Sequence, residues 1–115
     1  MQYLLLIYGN ETAVRDMPKE ASNQILAAYM AYIDAMKSAG VLVGSNRLRP
    51  TSEATTIRAP GGKQTVVNGP FAETKEQLAG YFLIDVPHLD AALSWASRCP
   101  AAHHGAIEVR PVWTM

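Results

Sequence analysis

Charged side chains are most concentrated in residues 73–76, where Glu73, Lys75 and Glu76 follow one another closely. Such a group could place an acid, a base and a cation around one small substrate. It could equally be a solvated turn, which is what most surface charge clusters are. On the first interpretation, Glu73 and Glu76 are candidate catalytic carboxylates and Lys75 is a candidate ligand-binding cation.

A second set of polar residues is predicted on strands. Glu108 and Arg110 alternate along the last strand, so their side chains share one face, where a guanidinium can bind a carboxylate through two hydrogen bonds. The alternative is a structural ion pair in a subunit interface. Tyr81 could present a catalytic hydroxyl to a pocket, although an aromatic side chain in a strand more often belongs to the core.

The histidines and the single cysteine do not predict a metal centre. His88 lies where a helix cap is expected, and Cys99 is predicted to fill space at a helix end. His103 and His104 are adjacent, and adjacent side chains diverge, so they make a poor chelate without a third ligand. Either could still accept a proton near neutral pH. We therefore expect neither a metal nor a cofactor.

The elements that must position these residues follow from hydrophobic periodicity. The predicted order is strand, helix, strand, hairpin, strand, helix, strand. The first helix has about twenty residues and ends at Gly40, and the second opens at Pro87 and His88. The strands are predicted at 2–8, 41–43, 79–86 and 106–113, and the hairpin joins 55–58 to 64–67.

This order predicts one α+β domain over residues 1–115, of ferredoxin-like type, with an inserted β-hairpin. Two helices can cover only one face of such a sheet, yet its strands are largely apolar on both faces. The uncovered face therefore predicts a homodimer formed by packing sheet on sheet.

Composition excludes several other classes of protein. A chain of 12.5 kDa is expected to expose about 6,200 Å² when folded, which leaves room for a core. Ten basic side chains balance ten acidic ones and are scattered, so direct nucleic-acid binding is not expected. We expect no membrane span, because the apolar runs are short. The single cysteine indicates a cytoplasmic location.

Residues 68–86 carry a block that resembles a known family. The sequence Asn-Gly-Pro-Phe-Ala-Glu-Thr-Lys-Glu is similar to the Asp-Gly-Pro-Phe motif, followed by Ala-Glu-Thr-Lys-Glu, of one branch of the YCII-related family. Gly-Val-Leu-Val at 40–43 and Ile-Glu-Val-Arg-Pro at 107–111 extend the resemblance over essentially the whole chain. The chain departs from the motif at Asn68, which stands where the family has Asp and cannot exchange a proton.

The resemblance implies a dimeric α+β barrel, related to dehydrochlorinase-like and muconolactone-isomerase-like barrels. It leaves two functions open. One is a cofactor-free enzyme that acts by acid/base chemistry on a small anionic or aromatic molecule. The other is a non-catalytic ligand-binding or regulatory module linked to an extracytoplasmic-function sigma factor, because members of this branch are encoded beside such factors.

The enzyme hypothesis assigns roles to the candidate residues. Glu73 or Glu76 acts as the general base, and Arg110 or Lys75 holds an anionic group of the ligand. The site is expected where residues 73–76, Tyr81 and the strand face with Glu108 and Arg110 converge.

Overall fold

Strand β1 (Gln2–Gly9) lies inside a four-stranded antiparallel sheet in the computed structural model, which describes residues 1–114. The other strands of this sheet are β2 (Leu42–Arg47), β5 (Gln77–Asp85) and β6 (Ala106–Pro111), in the spatial order β2-β5-β1-β6. Helix α2 (Lys19–Ser38) connects β1 to β2, and helix α3 (Leu89–Arg98) connects β5 to β6. This β-α-β-β-α-β arrangement confirms the predicted ferredoxin-like fold class.

The inserted hairpin forms a separate two-stranded sheet. Its strands are β3 (Thr55–Arg58) and β4 (Thr65–Asn68), which pair antiparallel with each other. The structure thus contains the hairpin that the Pro-Gly-Gly turn predicts.

Helix boundaries follow the predicted signals. Gly40 has a φ of 71° directly after the last turn of α2, a conformation that glycine adopts at little cost. His88 caps α3, because its Nδ1 accepts a hydrogen bond from the backbone N–H of Ala91 at 3.2 Å.

Two local features differ from the prediction. A five-residue helix, α1 (Glu11–Arg15), occupies a stretch that the sequence pattern marks only as polar, and the Asn10 side chain caps it by accepting from Ala13 N at 2.9 Å. One turn of helix is too short to show a hydrophobic period. Strand β2 continues past Val43 to Arg47, because its polar half pairs with the backbone of β5.

The core lies between the sheet and the helices. Alternate residues of β1 (Tyr3, Leu5 and Ile7) are buried there. The Tyr32 ring from α2 meets Phe82 edge-on at 5.4 Å, and its hydroxyl donates to the Trp95 carbonyl at 2.8 Å. The largest of the fully buried side chains are those of Leu5, Met36, Ile84 and Cys99. Cys99 therefore fills space at the end of α3, as predicted.

Within the described residues, no helix covers the opposite face of the main sheet. The remaining β1 side chains, including Leu4, Leu6 and Tyr8, lie on it and are half-buried. The chain exposes 8200 Å², which is about 2,000 Å² more than a folded monomer of this mass is expected to expose. Its radius of gyration is 16.1 Å, compared with about 13 Å for a compact domain of this length.

Gly105 lies directly before β6, and its substitution by Ala tests how closely the backbone there packs against β1. A Cβ atom at Gly105 would lie 2.1 Å from the Tyr8 carbonyl oxygen, whereas one at Gly44 would meet nothing within 4 Å. We expect Gly105→Ala to lower the free energy of unfolding by about 2 kcal/mol or more, and the control Gly44→Ala to change it by less than about 1 kcal/mol. Urea unfolding measures both values. An equal loss of unfolding free energy in the two variants would contradict the close contact between Gly105 and the Tyr8 carbonyl.

Alkaline unfolding tests the burial of ionisable groups under α2 and α3. Burial raises the pKa of the Tyr29 hydroxyl, the Tyr32 hydroxyl and the Cys99 thiol above their ordinary values. The folded state therefore holds these protons more tightly than the unfolded chain does. The protonated groups make their full contribution to the free energy of unfolding below their ordinary pKa values, about 8.5 for Cys and 10 for Tyr. That contribution is lost as the pH rises above those values.

We expect the free energy of unfolding of Tyr29→Phe to decrease less steeply above pH 10 than that of the parent protein, because the variant has one fewer buried hydroxyl to ionise. At pH 7 the variant is expected to lose no more than about 1 kcal/mol, because the Tyr29 hydroxyl makes a long contact of 3.9 Å with Cys99 Sγ. Urea unfolding at pH 7 and at pH 11 gives the comparison. A pH dependence identical to that of the parent protein would contradict this account.

Candidate functional site

An open cavity of about 420 Å³ lies at the C-terminal end of β1. It is bounded by α1, by the end of β2 and the residues that follow it, and by the beginning of β5. Its polar lining comes from Glu11, Arg15, Arg47 and Arg49, and its apolar lining comes from Val14, Leu48, Pro50 and Ala79. Three guanidinium groups and one carboxylate give this cavity a cationic character.

The Glu11 carboxylate is fixed in place by the segment after β2. One oxygen accepts a hydrogen bond from the backbone N–H of Thr51 at 2.8 Å, and the other accepts from the Thr51 hydroxyl at 2.7 Å. The backbone N–H of Glu11 donates to the Gln77 side-chain oxygen at 3.0 Å. Because a carboxylate oxygen can accept more than one hydrogen bond, each oxygen keeps capacity for a ligand.

Two of the three arginines are paired. Arg15 contacts Asp16 at 3.2 Å, and Arg49 contacts Glu53 at 2.9 Å. Arg47 makes no ion pair within residues 1–114. It is the last residue of β2 and lies opposite Gly80, where a Cβ atom would stand 2.7 Å from the Asn46 carbonyl oxygen. Gly80 thus allows the close approach of β2 that brings Arg47 to the cavity.

The segment with Glu73, Lys75 and Glu76 connects β4 to β5. Glu73 and Lys75 are exposed, and Glu76 is half-buried. Gln77 links this segment to the cavity. Its side-chain nitrogen donates to the Thr74 carbonyl at 2.6 Å, and its side-chain oxygen accepts from the backbone N–H of Glu11, which lines the cavity.

The other predicted residues lie on the helix-free face. Tyr81, Leu6 and Glu108 are direct neighbours in one row across β5, β1 and β6, which separates Tyr81 from Glu108 by about 10 Å. The Tyr81 hydroxyl accepts a hydrogen bond from the Asn46 side chain at 2.8 Å. Arg110 forms an ion pair with Glu108. The structure therefore brings these three residues to one face, and places the 73–76 segment apart from them.

Sequence patterns did not single out Glu11, Arg47 or Thr51. The available signals were weak: Glu11 directly follows the turn-forming Gly9-Asn10, and two arginines flank Leu48 after a strand. His103 and His104 border a different cavity, of about 470 Å³, between α2 and the turn at 100–103. Residues 1–114 contain no group of three potential His, Cys, Asp or Glu metal ligands. No helix in that range is long and apolar enough to cross a membrane.

The strand order and the position of both long helices on one face define a ferredoxin-like α+β domain. A polar cavity lies at the strand ends of this domain. A family model for the YCII-related domain matches residues 1–115, and the chain belongs to that family. Over 114 residues it is 40% identical to an uncharacterized protein of Rhizobium meliloti (strain 1021), a match that covers 97% of this chain and 92% of that protein.

A solved structure shares the fold. It is the 5-chloro-2-hydroxyhydroquinone dehydrochlorinase of Burkholderia phenoliruptrix, in complex with 2,5-dihydroxybenzoquinone. The TM-score is 0.55 at 15% sequence identity, over 99% of this chain and 94% of that one. At this level of identity the likeness concerns the fold.

Proposed function

We propose that the protein is an enzyme that uses acid/base chemistry, without a cofactor, on a small anionic aromatic molecule bound in the cavity at the end of β1. The observation that carries this proposal is the fixed Glu11 carboxylate in the same cavity as the Arg47 guanidinium. A volume of about 420 Å³ lies within the range of small-molecule pockets, roughly 300 to 1,000 Å³.

The geometry suggests a role for each group. Arg47 binds the ligand's anionic oxygen, because a guanidinium that makes no ion pair within residues 1–114 is free to form charge-assisted hydrogen bonds with it. Glu11 takes or returns a proton, and the two hydrogen bonds from Thr51 hold it in one orientation. Leu48 and Val14 offer apolar contacts to a ring. The dehydrochlorinase with the same fold is named for 5-chloro-2-hydroxyhydroquinone, whose ring is aromatic, which supports the aromatic class.

The residues predicted from the sequence define a competing location for the same chemistry. Tyr81, Glu108 and Arg110 share the open sheet face, and a second copy of the chain packed there would enclose them. In that arrangement the segment with Glu73, Lys75 and Glu76 would have to reach the face from its edge. The two locations can be separated by variants of Arg47 and Arg110.

We also propose that the protein is a homodimer. The excess of about 2,000 Å² in exposed surface is comparable with the area that one chain buries in an obligate homodimer, roughly 1,000 to 2,500 Å². The open face supplies Leu4, Leu6 and Leu83 for such an interface. A balanced formal charge puts no net repulsion between two copies.

Ligand binding tests the choice of cavity. We expect 2,5-dihydroxybenzoquinone, used as a probe, to bind the parent protein, and Arg47→Ala to weaken that binding at least about tenfold through loss of a charge-assisted contact. Isothermal titration calorimetry gives the affinities, with Lys37→Ala as the control, because Lys37 is an exposed cation in the last turn of α2 and does not line the cavity. If Arg110→Ala weakens binding and Arg47→Ala does not, the site is on the sheet face. If the probe and related phenols and carboxylates do not bind, the regulatory hypothesis with its sigma-factor link is favoured.

Sedimentation tests the dimer. We expect the parent chain to sediment at twice 12.5 kDa at micromolar concentration, and Leu6→Glu to shift it to the monomer by placing a charge in the interface. Leu26→Glu on the outer surface of α2 is the matched control, since Leu26 is already exposed. A parent protein that remains monomeric would contradict the proposal.

A further inference from the structure

The β3–β4 hairpin is attached to the rest of the molecule at its two stems. Thr51 binds the Glu11 carboxylate on one side, and the Thr74 carbonyl accepts from Gln77 on the other. Between these stems the hydrogen bonds run within the hairpin itself. Gly69 N donates to Ala54 O at 2.7 Å, and the Thr56 hydroxyl donates to Gly69 O at 2.8 Å. An isolated two-stranded hairpin is only marginally stable in water.

This hairpin nevertheless exposes apolar side chains on both of its faces. Ile57 and Val66 are direct cross-strand partners on one face and are 55% and 57% exposed, while Val67 faces the other way. Phe71, just after β4, is 74% exposed, and the Arg58 guanidinium stands 4.9 Å from its ring centre. Such a concentration of exposed aliphatic and aromatic groups marks an interaction surface.

The open sheet face alone is too small to account for the exposed surface of the chain. Four strands about 4.8 Å apart and six residues long cover roughly 20 by 20 Å, or about 400 Å² in projection. The chain exposes about 2,000 Å² more than a monomer of its mass should. The hairpin, with apolar residues exposed on both of its faces, supplies a further part of that excess, so a second copy that covers the excess contacts the hairpin as well as the sheet.

We propose that the hairpin, residues 55–68 together with Phe71, is a dimerisation arm that packs against a second copy of the chain. This inference rests on the proposed homodimer and adds a second contact region to it. A two-fold axis makes the arrangement reciprocal, so each arm is covered by the other chain and both arms gain the packing that a lone hairpin lacks.

A double variant tests the arm. Ile57→Thr with Val66→Thr removes apolar surface but keeps β-branched side chains, so the strands can still form. We expect the dimer dissociation constant, measured by sedimentation equilibrium, to rise at least about tenfold. The matched control is Leu26→Gln with Met30→Gln, two residues of α2 with similar exposure (58% and 61%), which should leave the constant unchanged. A dissociation constant unchanged by the arm variant would overturn the proposal and leave the dimer standing.

Hydrogen exchange gives a second readout that does not depend on variants. Backbone amides in 55–68 should exchange more slowly at concentrations where the parent protein is dimeric than after dilution to the monomer. Equal exchange rates in the two states would also overturn the arm. A parent chain that is monomeric throughout would overturn the arm together with the dimer. The ligand-binding comparison of Arg47 and Arg110 variants stays a separate test of the enzyme proposal.

Discussion

The alternation of side chains along β1 is the constraint on which the rest of the structure depends. β1 pairs with β5 on one side and β6 on the other, so it cannot be an edge strand. Its residues point in turn to the two faces of the sheet, and those on both faces are apolar from Tyr3 to Tyr8. The two long helices cover only the face that contains Tyr3, Leu5 and Ile7. The other face remains open, and the chain exposes more surface than a monomer of its mass should.

The same strand also determines where the cavity forms. The chain leaves β1 at Gly9, and the Asn10 cap turns it at once into α1, which puts Glu11 at the strand end. The register of β2 against β5 brings Arg47 opposite Gly80, close to that end. Gln77 then connects the start of β5 to the backbone of Glu11. The cavity is thus built from loops held by a rigid sheet, a common arrangement for binding sites.

Much of the fold could be predicted from the sequence because its signals are local. The apolar run of β1, the helical spacing that ends at Gly40, and the capping position of His88 each depend on a few neighbouring residues. The shared face of Glu108 and Arg110 also follows from strand alternation, and they do pair. Helix α1 and the polar half of β2 were missed, because a single helical turn shows no period and backbone pairing does not require apolar side chains.

The cavity could not be predicted in the same way. Glu11 and Thr51 are 40 positions apart, and they meet because β1 and β2 both border β5. No periodicity in the sequence records that contact, which depends on strand register and on side-chain hydrogen bonds. The motif segment makes hydrogen bonds through Thr74 and Gln77 that lead to the Glu11 backbone, whereas the Tyr81 hydroxyl accepts from Asn46 on the helix-free face.

The most direct test of the account is an isotope-filtered NMR experiment on a mixture of labelled and unlabelled chains, which detects contacts between methyl groups of different molecules. We expect intermolecular contacts from the methyl groups of Leu4, Leu6 and Leu83 on the open face of the sheet, and none from Leu26 on the outer surface of α2. Absence of intermolecular contacts from Leu6, at a concentration where the sample is dimeric, would contradict the claim that a second copy covers this face.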